Sequence, residues 1–247
     1  MTTMANKDKK RFDTNSNTYI IIYSTVLVLI VAFLLAYVFT ALKPMQDVNV
    51  ALDKKKQILA ALNIRDISNS DVEAKYHEVI MADAIIDADG NTTSAGEQGG
   101  ENAAFKLTSA DFKEGRMALF VCKVDNQTKY VLPVYGMGLW GPIWGYIAVD
   151  DDKNTIYGVY FNHESETAGL GAEIKDNEKW QQQFAGKKIF KAGTTDIGLS
   201  VVKKVDDPAT QCDGVTGATL TMDGVTLMFA DCLEKYKPFL TNNDKEE

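Results

Sequence analysis

Hydrophobic positions follow two regimes along this chain. Residues 19–42 are almost wholly apolar, broken only by Ser24, Thr25 and Thr40, and no charge occurs across residues 14–42. At roughly 1.5 Å per helical residue the run extends about 36 Å, enough to cross a hydrocarbon core of about 30 Å with some tilt. A signal peptide would show a shorter apolar region, about 7–15 residues, and then a small-residue cleavage site. Here the run ends Phe39-Thr40-Ala41-Leu42-Lys43-Pro44, so an uncleaved anchor is expected.

Beyond Pro44 the pattern becomes mixed. Residues 45–64 read as a helix, with Val48, Leu52, Ile58, Leu59 and Leu62 only roughly periodic, continuing the anchor as a stalk. Residues 71–86 read as a second helical stretch. Residues 87–102, DADGNTTSAGEQGGEN, are polar and glycine-rich without periodicity, which predicts a mobile loop outside the core. Strands follow at Met117–Val124 and at residues 130–135, 145–149 and 156–161, separated by polar turns at Asp125-Asn126-Gln127 and at residues 150–154. Residues 177–184 predict a short helix with Trp180 and Phe184 four apart. The last helix is written in Val225, Met228, Phe229, Cys232, Leu233 and Tyr236, apolar at i, i+3, i+4, i+7, i+8 and i+11. Thr219 or Thr221 is its expected N-cap, with Asp223 in the first turn. The predicted class is α+β: one N-terminal transmembrane helix, then an antiparallel meander backed by helices.

Composition narrows the chemistry. A chain of 247 residues with one span leaves room for one further domain, and its net charge of −8 argues against nucleic acid, which is bound through Lys and Arg. The cysteines Cys122, Cys212 and Cys232 form no CxxC, and only His77 and His163 accompany them, so no protein-held metal site is expected. Cys212 is read as a small buried side chain. Lys7, Lys9, Lys10 and Arg11 precede the apolar run, whereas Lys43 follows it and Lys54, Lys55 and Lys56 lie further out. The nearest charges favour an N-terminus inside and the long C-terminal part outside the cytoplasm, although a wider window approaches a tie.

Residues 213–221, DGVTGATLT, set three threonines among small residues directly before the last helix. A helix N-terminus offers unpaired N–H groups and the positive end of the macrodipole, so this is a place to hold a phosphate. The same residues also read as a plain capped helix after a glycine turn. The run DGVTGAT resembles the flavinylation motif Asp-Gly-x-Ser/Thr-Gly-Ala-Thr of the FMN-binding domain family, found in the C subunit of sodium-translocating NADH:quinone oxidoreductases and the G subunit of the related Rnf complexes. The resemblance implies FMN joined by a phosphoester to Thr219, installed from FAD by a magnesium-dependent flavin transferase that requires Asp213, with Gly214, Thr216, Gly217, Ala218 and Thr221 around the cofactor.

Two further segments carry the resemblance. Gly136-Met137-Gly138-Leu139-Trp140-Gly141 fits G-x-G-x-x-G, yet Pro142 and IWGYIAV follow where a dinucleotide turn needs a helix, so a bend into another strand is predicted. Its Gly-Leu-Trp is similar to that of the C subunit. Residues 163–171, HESETAGLG, are similar to the family's His-x-Glu-Thr-Pro-Gly-Leu-Gly loop, with one extra residue before Glu166 and Ala168 in place of proline. The resemblance gives flavin contacts to Glu166, Thr167, Gly169 and Leu170 but none to His163; glycines here would let backbone approach a flat ring. Trp140 and Trp144 either stack near that ring or fill core, and Trp140 is placed with the cofactor residues.

These readings divide the chain into a cytoplasmic tail (1–18), a transmembrane helix (19–42), a stalk with helical segments and glycine-rich loop (43–104), an FMN-binding domain (105–240) and a C-terminal tail (241–247). The resemblance implies a protein of the bacterial inner membrane with its flavin domain periplasmic, relaying electrons among the other subunits of a reductase, with flavin transferase and membrane lipid as further partners. The competing expectations are a G subunit of an Rnf-type complex and a non-redox anchored binding or assembly protein.

Overall fold

The computed structural model describes residues 14–242. Lys7, Lys9, Lys10 and Arg11, which bear on orientation, most of the expected tail 1–18 and residues 243–247 of the tail 241–247 lie outside the described residues. The chain divides into two units, one ending at Ala51 and one beginning at Leu52. The first unit is the greater part of helix α1, Asn17–Ala61, which runs unbroken through Pro44. Its apolar side chains, among them Ile21, Val28, Phe33, Leu35 and Tyr37, are exposed. It is long and apolar enough to cross a membrane.

The second unit is built on a six-stranded antiparallel sheet in the order β2-β1-β3-β4-β5-β6. The strands are β1 (Ile80–Ile86), β2 (Thr92–Ser94), β3 (Met117–Val124), β4 (Gln127–Met137), β5 (Pro142–Asp150) and β6 (Ile156–His163). Short helices α2 (Val72–Val79), α3 (Ser109–Lys113), α4 (Glu173–Asp176) and α5 (Glu178–Gln182) flank them. A parallel pair, β7 (Ser200–Val202) with β8 (Gln211–Asp213), leads into α6 (Thr219–Thr241).

The turn chemistry explains the meander. β3 and β4 join through Asp125 and Asn126, both at positive φ, the conformation a two-residue hairpin with the strands' own twist demands. β4 and β5 reverse where Gly138 N–H donates to the Gly141 carbonyl at 2.8 Å, with Pro142 tolerated as the first strand residue. The G-x-G-x-x-G run is thus a hairpin, as expected. One face of the sheet packs Leu132, Val134, Ile147, Val149 and Phe161 against Val225, Phe229, Leu233 and Tyr236 of α6. On the other face the end of α1 comes so close to β6 that a Cβ on Gly158 would lie 2.5 Å from the Ala61 carbonyl.

Three expectations need correction. The helix predicted over residues 71–86 ends at Val79, and residues 80–86 form β1, paired with β3. Propensity is local, whereas that pairing depends on strand β3 supplying a partner. The stretch over residues 87–102 is not wholly loop outside the core: it forms β2 and sets Gly96 and Gly100 against Asp83, which is fully buried. Asp83 accepts hydrogen bonds from the backbone of Glu97 (3.1 Å), Ala103 (2.9 Å) and Phe105 (3.5 Å). The N-cap of the last helix is Ala218, not Thr219 or Thr221, and no acidic residue falls in its first turn, so Asp223 lies beyond it.

Candidate functional site

The segment before α6 is held from two sides. The Trp180 indole N–H donates to the Asp213 carbonyl (2.8 Å), and the Asp213 N–H donates to Gln183 Oε1 (3.1 Å). Gly214 N–H donates to the Val202 carbonyl (2.9 Å), extending the β7–β8 pair. A turn then closes with Ala218 N–H on the Val215 carbonyl (3.1 Å), and Gly217 takes the positive φ of 83° that such a turn reserves for glycine. Ala218 supplies no side-chain cap to α6, so the helix starts with N–H groups directed at whatever lies beyond it.

What lies beyond is a cleft of about 770 Å³, lined by Asp213, Gly214, Thr216, Gly217 and Thr219 together with Val201, Val202, Lys203, Val215, Met222 and Asp223. Thr219 is the first residue of α6 and half-buried, while Asp213, Thr216 and Gly217 are exposed. Ala218 is buried beneath the turn. Lys203 was not foreseen; its only signal in the sequence is the Lys203-Lys204 pair directly after the short apolar run of β7.

The other two segments converge on the same helix start without lining the cleft. Leu170 lies beside the motif, since a Cβ on Gly217 would stand 3.0 Å from its Cδ2. Thr167, Gly169, Leu170 and Trp140 are exposed, Trp140 by 66%, which rules out the core role considered for it. Trp144 is half-buried and donates its indole N–H to Gln57 (3.1 Å). Glu166 differs from its loop neighbours in being buried. Its carboxylate accepts from the Trp140 N–H (2.8 Å) and the Thr221 hydroxyl (2.6 Å), and Thr221 is buried with it. Both side chains therefore spend their polar atoms on each other and the protein.

None of the three cysteines lines this cleft. All three are free and buried; desolvation pushes the Cys212 thiol up to about 12 and the Cys232 thiol up to about 11. Neither forms a thiolate at ordinary pH.

The chain is similar to known proteins over most of its length. The FMN-binding domain family matches residues 138–234, which contain Trp140, the 163–171 loop and the 213–219 motif. The C subunit of the Na(+)-translocating NADH-quinone reductase of Haemophilus ducreyi is 32% identical over 237 residues, covering 89% of this chain and 90% of the relative. The C subunit of the Pseudomonas aeruginosa reductase is 32% identical over 253 residues, covering 90% of this chain and 96% of the relative. The crystal structure of the C subunit from Parabacteroides distasonis aligns with a TM-score of 0.75 at 39% identity, over 82% of this chain and 98% of that one.

Proposed function

Because this chain belongs to the C-subunit family of Na(+)-translocating NADH-quinone reductases, we propose that it is the flavoprotein component of such a complex, carrying FMN as a phosphoester on Thr219 and relaying electrons. The observation that carries this reading is the position of Thr219: it opens α6 at the lip of a cleft, directly after a segment braced at Asp213 by Trp180 and Gln183.

The residues present suit the group. A volume of about 770 Å³ falls within the range of roughly 300–1,000 Å³ typical of cofactor sites. The open start of α6 and the Lys203 ammonium suit a phosphate. The exposed apolar surfaces of Trp140 and Leu170, with Thr167 and Gly169 between them in sequence, offer a bed for a flat ring. Asp213, Gly214, Thr216, Gly217 and Ala218 form the recognition segment for the flavin transferase. When bound, FMN supplies reversible acceptance and release of electrons. The protein's part is to hold that group at a fixed place and present it to neighbouring subunits.

Helix α1 anchors the chain in the inner membrane over residues 19–42, in contact with lipid, and the flavin domain lies in the periplasm; residues 80–94, expected as part of a stalk, belong to its sheet as β1 and β2. A covalent link suits that compartment, because it removes dissociation into a volume where free FMN is scarce. The attachment is tested by mass spectrometry of the Thr219 peptide from protein produced with a flavin transferase. FMN is expected there and absent in Thr219→Ala, which stays folded because alanine is a good helix former. Phosphoester-linked FMN surviving in Thr219→Ala would falsify the assignment. Since the Gly136–Gly141 run is a hairpin, the flavinylated chain alone should be reduced by dithionite and not by NADH; rapid reduction by NADH would end the relay reading.

A further inference from the structure

We infer that Glu166 is a positioning residue that fixes the first turn of α6 from the inside and so aims Thr219 at the cleft, an inference that rests on Thr219 being the flavin attachment point. Glu166 is flanked by the exposed Glu164, Ser165 and Thr167, yet it is only 7% exposed. Its Oε1 accepts from the Trp140 backbone N–H at 2.8 Å and its Oε2 accepts from the Thr221 hydroxyl at 2.6 Å. The Glu166 N–H in turn donates to His163 Nδ1 at 3.1 Å. One carboxylate thus ties the β4–β5 hairpin, the 163–171 loop and the start of α6.

The glycines around it are there to make room. A Cβ on Gly138 would stand 2.5 Å from Glu166 Oε1, and a Cβ on Gly171 would stand 2.4 Å from Oε2 and 2.5 Å from Thr221 Oγ1. No side chain at either place leaves space for the carboxylate without moving it. Thr221 follows Thr219 by two positions, about 200° around a helix of about 3.6 residues per turn. Pinning Thr221 inward therefore points Thr219 to the opposite side, where the cleft is. A buried carboxylate with two donors is a stiff joint, because releasing either donor leaves a desolvated polar group without a partner.

The test measures the rate at which a flavin transferase, supplied with FAD and magnesium, loads FMN onto the full chain. Thr221→Val keeps the shape and removes the hydroxyl; Thr221→Ser keeps the hydroxyl; Glu166→Leu removes both acceptors. Phe120→Leu, a core truncation outside the α6 cluster, serves as a control for lost stability. Thr221→Val and Glu166→Leu should load at least ten-fold more slowly than wild type, while Thr221→Ser and Phe120→Leu stay within two-fold. Should Glu166→Leu not fold, the Thr221 pair decides. Folded Thr221→Val loading at the wild-type rate overturns the inference and leaves the attachment site standing, as does Phe120→Leu slowing as much as Thr221→Val. Wild-type chain that takes no FMN on Thr219 removes the attachment reading and this inference with it.

Discussion

Two carboxylates lie buried under glycine-bearing loops in this molecule, and they are put to different ends. Asp83 on β1 accepts only backbone N–H groups, from Glu97, Ala103 and Phe105. Gly100 passes it so closely that a Cβ there would meet Asp83 Oδ1 at 1.9 Å. Glu166 accepts one backbone N–H and one hydroxyl, from segments 26 and 55 positions away. Asp83 turns a polar loop into part of the frame, because its partners all lie in the stretch that follows β2. Glu166 instead joins three elements that meet at the proposed flavin site. A buried acidic side chain under a loop is thus a stability device in one place and an alignment device in the other.

The comparison breaks or sharpens on three measurements. Asp83→Ala strips one buried and two part-buried N–H groups of their acceptor and should cost about 3 kcal/mol, at roughly 1–3 kcal/mol per buried orphaned group and less for the others. Thermal unfolding should show this as a melting point lower by roughly 6–12 °C in a domain of this size, with FMN per folded molecule unchanged. Loss of flavin at unchanged stability would merge the two regions into one.

A smaller effect separates the glycines. Gly100→Ala and Gly171→Ala each press a methyl group on a buried carboxylate, and overpacking of this kind costs about 1–3 kcal/mol. Denaturant titration should find both destabilised, yet only Gly171→Ala should slow FMN attachment to Thr219. Equal slowing in both variants would contradict the division of roles.

The third effect is electrostatic and falls on the Asp83 side. Lys54 donates to the carbonyls of Phe105 and Leu107, in the stretch that Asp83 fastens, and burial lowers its ammonium from 10.5 to about 8. Between about pH 8 and 10.5 the unfolded chain holds a proton that the folded chain has released, so this group's contribution to stability rises with pH across that window. Lys54→Met should flatten the rise in a series of unfolding curves from pH 7.5 to 10, with FMN content unaffected. A wild-type curve no steeper than that of the variant would refute the assignment.

Much of the frame was legible without coordinates. Alternation and turn residues locate β3 to β6 to within a few positions, and the Asp125-Asn126 pair fits its tight turn. The periodicity of Val225 to Tyr236 locates α6, and Pro142 after the glycine run excludes a dinucleotide turn. The misreadings share one cause. Residues 80–86 continue a helix-compatible stretch and become a strand only because β3 lies alongside. Residues 87–102 look like solvent-loving loop because the buried Asp83 that orders them precedes the stretch and shows no local sign of burial. Lys203 enters the cleft because β7 pairs with β8, and neither three-residue strand is long enough to show a period.

The candidate site divides the same way. The motif around Thr219 identifies itself in sequence because its residues are consecutive, and the apolar run identifies itself because a bilayer requires unbroken length. Nothing local distinguishes Glu166 from Glu164 two positions earlier; one is buried on Thr221 and the other is exposed. That outcome was decided by Gly138 and Gly171 leaving room from two other segments. Patterns set by neighbours along the chain are written in the sequence, whereas the environment of a single polar side chain is set by which distant segments the fold brings against it.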